Sequence, residues 1–275
     1  MNPRRQVRFG FPTNGFSVGD TFLFTPVCRY TDVTYEIPVD SFCASDIASV
    51  LQSVARIEYV HTPIKEEESF AQYVAQYGPV PQIPPVRCLH SARRWLLRYG
   101  IDAPNALPYA EPPMADVEWA MKWLRLYRRP IVFTPIPGGL SNPADLLARY
   151  KYVPPQVWTA TLERLARDHD LLYFTAREHH VPFPHVKTLL GFPVAKIAAI
   201  MWLCKRHLGV ENGLLHLAIA MGATCRVGMP TIDGKSLCEV ADYYVYAGDM
   251  WRTEPCRAFY HLFDDASDHA NIVYS

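Results

Sequence analysis

The chain has 275 residues, 49% of them hydrophobic and 20% charged, and its 27 Lys+Arg are balanced by 27 Asp+Glu. That length allows two modest α/β domains or one large one around a substantial core. No run approaches the roughly 20 apolar residues of a membrane span, and the zero net charge lacks the excess of base expected of a protein that coats DNA or an anionic bilayer.

Taken in chain order, residues 6–12 read as a first strand and about 20–30 as a helix. Strand 33–38, helix 44–55 and strand 57–60 follow, and this alternation argues for a parallel sheet with crossover helices. A glutamate-rich helix leads to the Pro-rich segment 79–86, expected as an extended surface loop. Residues 88–99 read as an arginine-rich amphipathic helix, and the prolines of 102–114 as the approach to a domain boundary. Helix 115–128 leads into a second unit. There the pattern restarts with strand 131–135, helix 155–167, strand 171–175, helices 185–190 and 195–204, and a short strand near 207–210. A helix from Gly213, strand 224–228 and a strand at Tyr243–Tyr246 complete it. The expected division is residues 1–114, a linker helix 115–130, and residues 131–275.

Seven cysteines stand at 28, 43, 88, 204, 225, 238 and 256 without a C-x-x-C pair. An odd number in apolar contexts points to reduced thiols and a cytoplasmic location rather than a disulfide framework. Zinc is not expected, because His179, His180 and His185 sit among prolines with no cysteine at ligand spacing. The basic start Met1-Asn2-Pro3-Arg4-Arg5 is not followed by an apolar signal core.

The most informative stretch is Val210-Glu211-Asn212-Gly213-Leu214-Leu215-His216-Leu217-Ala218-Ile219-Ala220-Met221-Gly222. Asn212 is a good N-cap, Gly213 admits a ligand close to the backbone, and the first-turn amides with the helix dipole behind them suit a phosphate. The bland alternative is an ordinary capped core helix.

The order of these residues resembles the donor-site signature of glycosyltransferase family 9, the ADP-heptose type of lipopolysaccharide heptosyltransferase, which has the GT-B fold. Four further segments are similar to that family, in the same order. Ser17-Val18-Gly19-Asp20-Thr21-Phe22-Leu23-Phe24-Thr25-Pro26-Val27 resembles its opening, and Ile131-Val132-Phe133-Thr134-Pro135-Ile136-Pro137-Gly138-Gly139 the strand and glycine turn that begin its second domain. Lys151-Tyr152-Val153-Pro154 is similar to its Lys-x-Trp-Pro element, and Leu171-Leu172-Tyr173-Phe174-Thr175-Ala176-Arg177-Glu178 to a strand ending in a Glu-bearing loop. The resemblance spans roughly residues 7 to 232. It implies an α/β protein of two Rossmann-like domains facing a cleft, in a compact variant whose N-terminal domain is trimmed most. Glu211 departs from the family's Asp, and Asn212 from its usual Thr or Ser.

The activity implied is an inverting transfer of a hexosyl or heptosyl group from a nucleoside-diphosphate sugar to a hydroxyl, with no cofactor and no metal. Such a transfer needs a base for the acceptor proton, donors to neutralise the departing diphosphate, and a cleft that excludes water. Asp20, just past the first strand at the carboxyl edge of the sheet, matches the family's base. As an N-cap it would have no chemistry. Lys151 is the phosphate candidate as a point charge, and Glu178 the candidate for the ribose diol. Gly213, Leu214 and Leu215 offer amides to the diphosphate, with Glu211, Asn212 and His216 in the same donor loop. Gly138 and Gly139 form a turn that lets donor or acceptor approach the backbone.

Gly19 and the basic helix face of Arg93, Arg94 and Arg98 are the acceptor candidates. By family the acceptor is a surface glycan of lipopolysaccharide type, with no integral membrane contact. Two alternatives stand beside this. One is a phage-type transferase acting on hydroxymethylated pyrimidines in DNA, its groove lined by those arginines with Arg125, Arg128 and Arg129. The other is a non-catalytic nucleotide-sugar-binding protein; a nucleotide-sugar epimerase on the same architecture is a further option.

Overall fold

A computed structural model of the chain describes residues 4–10, 18–40, 42–80, 91–103, 106–136, 151–175, 183–229, 231–232, 235–236 and 258–262. Two parallel sheets organise it. The first has the order β1 (Gln6–Gly10), β2 (Asp32–Pro38), β3 (Arg56–Val60). The second has six strands in the order β11 (Ala258–Leu262), β8 (Thr224–Met229), β7 (Arg206–Gly209), β4 (Ile131–Thr134), β5 (Leu171–Thr175), β6 (Val186–Leu190). All five of its pairings are parallel. A small antiparallel pair, β9 (Thr231–Ile232) and β10 (Lys235–Ser236), precedes β11. The expected α/β class therefore holds.

Alternation within the strands builds the core. In β1, Val7 and Phe9 turn inward while Gln6 and Arg8 face out. Phe9 stacks on Phe24 with ring centroids 3.9 Å apart and meets the edges of Tyr35 and Trp95. Each such buried ring stabilises the fold by about 1.5–3 kcal/mol. On the outer face Arg8 pairs with Glu36 of β2 and Glu58 of β3, and the buried Glu36 also accepts a 2.6 Å bond from the Ile64 amide. In β4, Ile131 and Phe133 enter one core cluster and Val132 the other.

The helices follow the same logic. On the first unit lie α1 (Val18–Leu23), α2 (Phe42–Leu51), α3 (Glu66–Tyr77) and α4 (Ser91–Arg98). Helix α1 is short because Pro26 cannot continue it, and the chain tightens into a 3-10 turn at Thr25–Arg29. Helix α3 lies along the outer edge of β1. Its Ser69 hydroxyl donates to the Arg8 carbonyl and its Tyr77 hydroxyl accepts from the Gln6 amide at 2.8 Å. Side chains thus satisfy an edge that another strand would otherwise need to cover.

On the second sheet α6 (Pro155–Leu165) covers one face with Trp158, Leu162 and Leu165. Helices α5 (Met114–Leu124), α7 (Val194–Cys204) and α8 (Gly213–Ala220) cover the other. The larger cluster is continuous from Val7 of β1 through Ala198 of α7 to Val227 of β8, so the two sheets share one core. Helix α5 packs on α7, and the Ala110 amide donates to the Ala220 carbonyl at 3.2 Å.

One expected element is corrected. Residues 185–190 form strand β6 instead of a helix, with His185 in a left-handed turn (φ 61°) and Val186 to Leu190 paired residue by residue with β5. A five-residue run with Val and Thr suits a pleated edge better than a single helical turn. Strands β9 to β11 are additions, and the strand expected at Tyr243–Tyr246 lies outside the described residues. No described helix is long and apolar enough to cross a membrane.

Candidate active site

In the second sheet the order β6-β5-β4-β7-β8-β11 runs 3-2-1-4-5-6 in the sequence of its own strands, so the direction of winding reverses between β4 and β7. Open α/β sheets take ligands at such a reversal, beyond the carboxyl ends of the strands. Strand β4 ends there at Thr134, and β7 ends at Gly209 before the turn into α8.

The turn is held by Asn212. Its backbone is extended (φ −155°, ψ 176°) and its Oδ1 accepts the Leu215 amide at 3.0 Å, capping α8. Its Nδ2 donates to the Thr134 carbonyl at 3.0 Å and to the Ile136 carbonyl at 3.1 Å. One side chain therefore fixes the helix start to the end of β4; a cap of this kind alone contributes about 1 kcal/mol. The expectation that Leu215 offers its amide to a diphosphate is corrected, because the cap takes it. Gly213 and Leu214, both half-buried, carry the remaining amides of the first turn.

The start of α1 meets this loop. A methyl placed on Gly19 would strike the His216 ring, with Nε2 at 3.2 Å, and one on Gly213 would lie 3.1 Å from Val18 Cβ and 3.2 Å from the Gly19 nitrogen. Two glycines thus let two helix starts touch backbone to backbone. Half-buried Asp20 sits in the first turn of α1, beside this contact in the chain. His216 is buried against Gly19, and its Nε2 is 3.4 Å from Oε1 of the equally buried Glu211.

Beneath the loop lies a second buried histidine. His207 Nε2 is 2.7 Å from Thr134 Oγ1, and burial, with His216 nearby, pushes its imidazole down to about 3, leaving it neutral. Gly209 lies opposite Thr134 in the β4–β7 register, and any side chain there would collide with the threonine hydroxyl and backbone. Thr134, His207 and Gly209 are not among the site residues expected from the sequence. A lone glycine in a short strand signals a close backbone approach, and Gly209 carries that signal.

Lys151 is half-buried, two residues before the fully buried Val153 that anchors the approach to α6. Glu178, Gly138 and Gly139 lie outside the described residues, as do the side chains of Arg93 and Arg94 on α4. Arg98 pairs with Glu66 of α3 and lies over the rings of Phe70 and Trp95 at 4.7 and 5.7 Å. The Arg128 backbone and side chain bond to Asp170 and Ala166, and the Arg129 carbonyl lies 2.7 Å from His169 Nδ1. Both arginines precede β4, at the end opposite Thr134. Among the described residues no group of three His, Cys, Asp or Glu could hold a metal ion.

No family model matches the sequence, and no curated protein matches it. Solved structures do match in fold. A glycosyl transferase family 9 protein from Veillonella parvula superposes with a TM-score of 0.59 at 12% identity, covering 99% of this chain and 91% of that one. E. coli ADP-heptose lps heptosyltransferase II gives 0.53 at 14%, covering 82% and 85%. E. coli heptosyltransferase WaaC with ADP-2-deoxy-2-fluoro heptose gives 0.52 at 12%, covering 93% and 92%. In fold, over most of its length, this chain is a GT-B-type α/β protein of the kind seen in glycosyltransferase family 9 and the heptosyltransferases.

Proposed function

We propose that this protein is a metal-independent, inverting glycosyltransferase that moves a sugar from a nucleoside-diphosphate sugar to a hydroxyl acceptor. The observation that carries the reading is the meeting of the Asp20-bearing turn of α1 with the Asn212-capped start of α8, at the switch point of a six-stranded parallel sheet. An aspartate and a set of helix amides brought to one place are a base and an anion site. The fold matches add support, since the WaaC structure holds ADP-2-deoxy-2-fluoro heptose.

In this reading residues 1–114 present the acceptor, 115–130 link, and 131–275 bind the donor. The Asp20 carboxylate takes the acceptor proton as the hydroxyl oxygen attacks the anomeric carbon. The bond from that carbon to the diphosphate breaks on the opposite side. Negative charge gathers on the leaving group, where the Gly213 and Leu214 amides, the α8 dipole and the Lys151 ammonium oppose it. Glu178 holds the ribose diol, and Gly138 and Gly139 let donor or acceptor approach the backbone. Asn212, Glu211 and His216 keep the loop in shape.

The acceptor is proposed as a surface glycan of the lipopolysaccharide type. The test is release of nucleoside diphosphate from a panel of nucleotide sugars, each offered alone, with glycan acceptors and with hydroxymethylated DNA, with and without EDTA. Release that requires a glycan, survives EDTA and vanishes in Asp20→Asn supports the reading. A requirement for hydroxymethylated DNA moves the acceptor, and donor binding without release in any arm leaves a binding protein.

A further inference from the structure

Between the donor loop and the interior lies a polar chain that the proposed reaction does not use. It runs from His207 Nε2 to Thr134 Oγ1 (2.7 Å), and from the same residue's carbonyl to Asn212 Nδ2 (3.0 Å). It continues from Asn212 Oδ1 to the Leu215 amide (3.0 Å). The Thr134 carbonyl also accepts the Val210 amide at 3.1 Å, so one oxygen anchors both ends of the 210–212 turn.

Two independent features show a place built for this chain. Gly209 supplies the room that the threonine hydroxyl occupies, and a Cβ there would meet both Oγ1 and the carbonyl carbon of Thr134. His207, fully buried and opposite Val132 in the register, projects to the same face as Thr134, where α8 lies over it. A buried imidazole in that position costs desolvation that an aliphatic side chain would not. Its gain is a fixed Thr134: with the side chain held, the carbonyl that follows has one direction, and Asn212 has one place to bond.

We infer that His207 and Thr134 are a buried positioning pair, which through the Thr134 carbonyl sets the orientation of Asn212 and so aims the first-turn amides of α8 at the donor diphosphate. The inference rests on the donor-site reading, goes beyond it, and is separable from it by experiment. Neither residue touches the ligand. Their effect is on affinity for the diphosphate and on the rigidity of the cap.

The test uses Thr134→Val, which keeps the branched shape and removes the hydroxyl, Thr134→Ser, which restores the hydroxyl, and His207→Leu. Hydrogen–deuterium exchange over residues 210–218 reads the cap without any ligand. Calorimetry with ADP, GDP and UDP reads the anion site, and far-UV spectra with melting temperatures verify that each variant is folded. Thr134→Val and His207→Leu are expected to speed exchange at Leu215 by roughly five-fold or more through local opening. They should weaken diphosphate binding about ten-fold, equivalent to about 1.4 kcal/mol. Thr134→Ser should recover both readings, which a merely space-filling role would not require. Unchanged exchange in a folded Thr134→Val overturns the positioning role and leaves the functional reading standing. Wild-type protein that binds none of the three diphosphates overturns the functional reading, and with it the claim that the amides are aimed at one.

Discussion

Gly19 and Gly213 face each other where helices α1 and α8 meet, close enough that a β-carbon on Gly213 would lie 3.2 Å from the Gly19 nitrogen. The contact joins the first turn of α1 to the first turn of α8 and brings segments nearly 200 positions apart in sequence into one site. It also sets what the site tolerates, because a side chain at Gly19 would collide with the His216 ring and one at Gly213 would be tight against Val18.

Gly19→Ala is expected to destabilise the fold by about 1–3 kcal/mol, since the added methyl strikes the His216 ring and α1 must move away from α8. Gly213→Ala should cost less. Its added methyl would lie 3.1 Å from Val18 Cβ, 3.2 Å from the Gly19 nitrogen and 3.8 Å from the Val18 carbonyl carbon, and alanine regains up to about 1 kcal/mol of helix propensity. Urea unfolding of both variants measures the difference. A Gly19→Ala protein as stable as wild type would show that the two helix starts are not in contact in solution.

Asp20→Asn keeps the shape of the turn and removes the base. Transfer should fall by about 10²–10⁴, with nucleotide-sugar binding little changed. Diphosphate release at saturating donor, beside calorimetric donor affinity, separates the two effects. Full activity in the variant would remove Asp20 from the chemistry.

His207 gives a pH dependence whose sign is fixed. Its imidazole has an ordinary value near 6.5 in the unfolded chain and about 3 in the folded one, because burial and then His216 disfavour the charged form. Between those values the unfolded chain holds the extra proton, so the stability from a neutral His207 is complete above about pH 6.5 and is lost as pH falls toward 3. The slope from this one group approaches ~1.4 kcal/mol per pH unit. Urea midpoints from pH 4 to 7 should fall with acid more steeply in wild type than in His207→Gln. Parallel profiles would rule the contribution out.

The shared core predicts one unfolding event. Residues of β1, β2, α2, α5, α7 and α8 belong to a single buried cluster, and the Ala110–Ala220 backbone bond crosses between segments of the two units. Thermal unfolding followed by tryptophan fluorescence and by far-UV circular dichroism should give coincident transitions. Two separated transitions would mean that the units fold independently.

Much of this was legible in sequence because it is local. Short continuous apolar runs at 131–134 and 171–175 mark buried strands whatever they pair with, and Asn212 before an apolar helix marks a cap by its own chemistry. The run 185–190 misled because five residues hold too little periodicity to separate a helical turn from an edge strand; pairing with β5 decided it. Tertiary structure alone decided which distant groups meet: Gly19 with His216, Thr134 with His207, and Ser69 with the Arg8 carbonyl. A residue's type sets what it can bond to, but its partner depends on strand order and helix packing. That is why the sequence alone determined a parallel α/β protein with a capped, anion-suited helix. The folded chain decided that Asp20 lies in the helix turn touching that loop and that a buried histidine supports the loop from below.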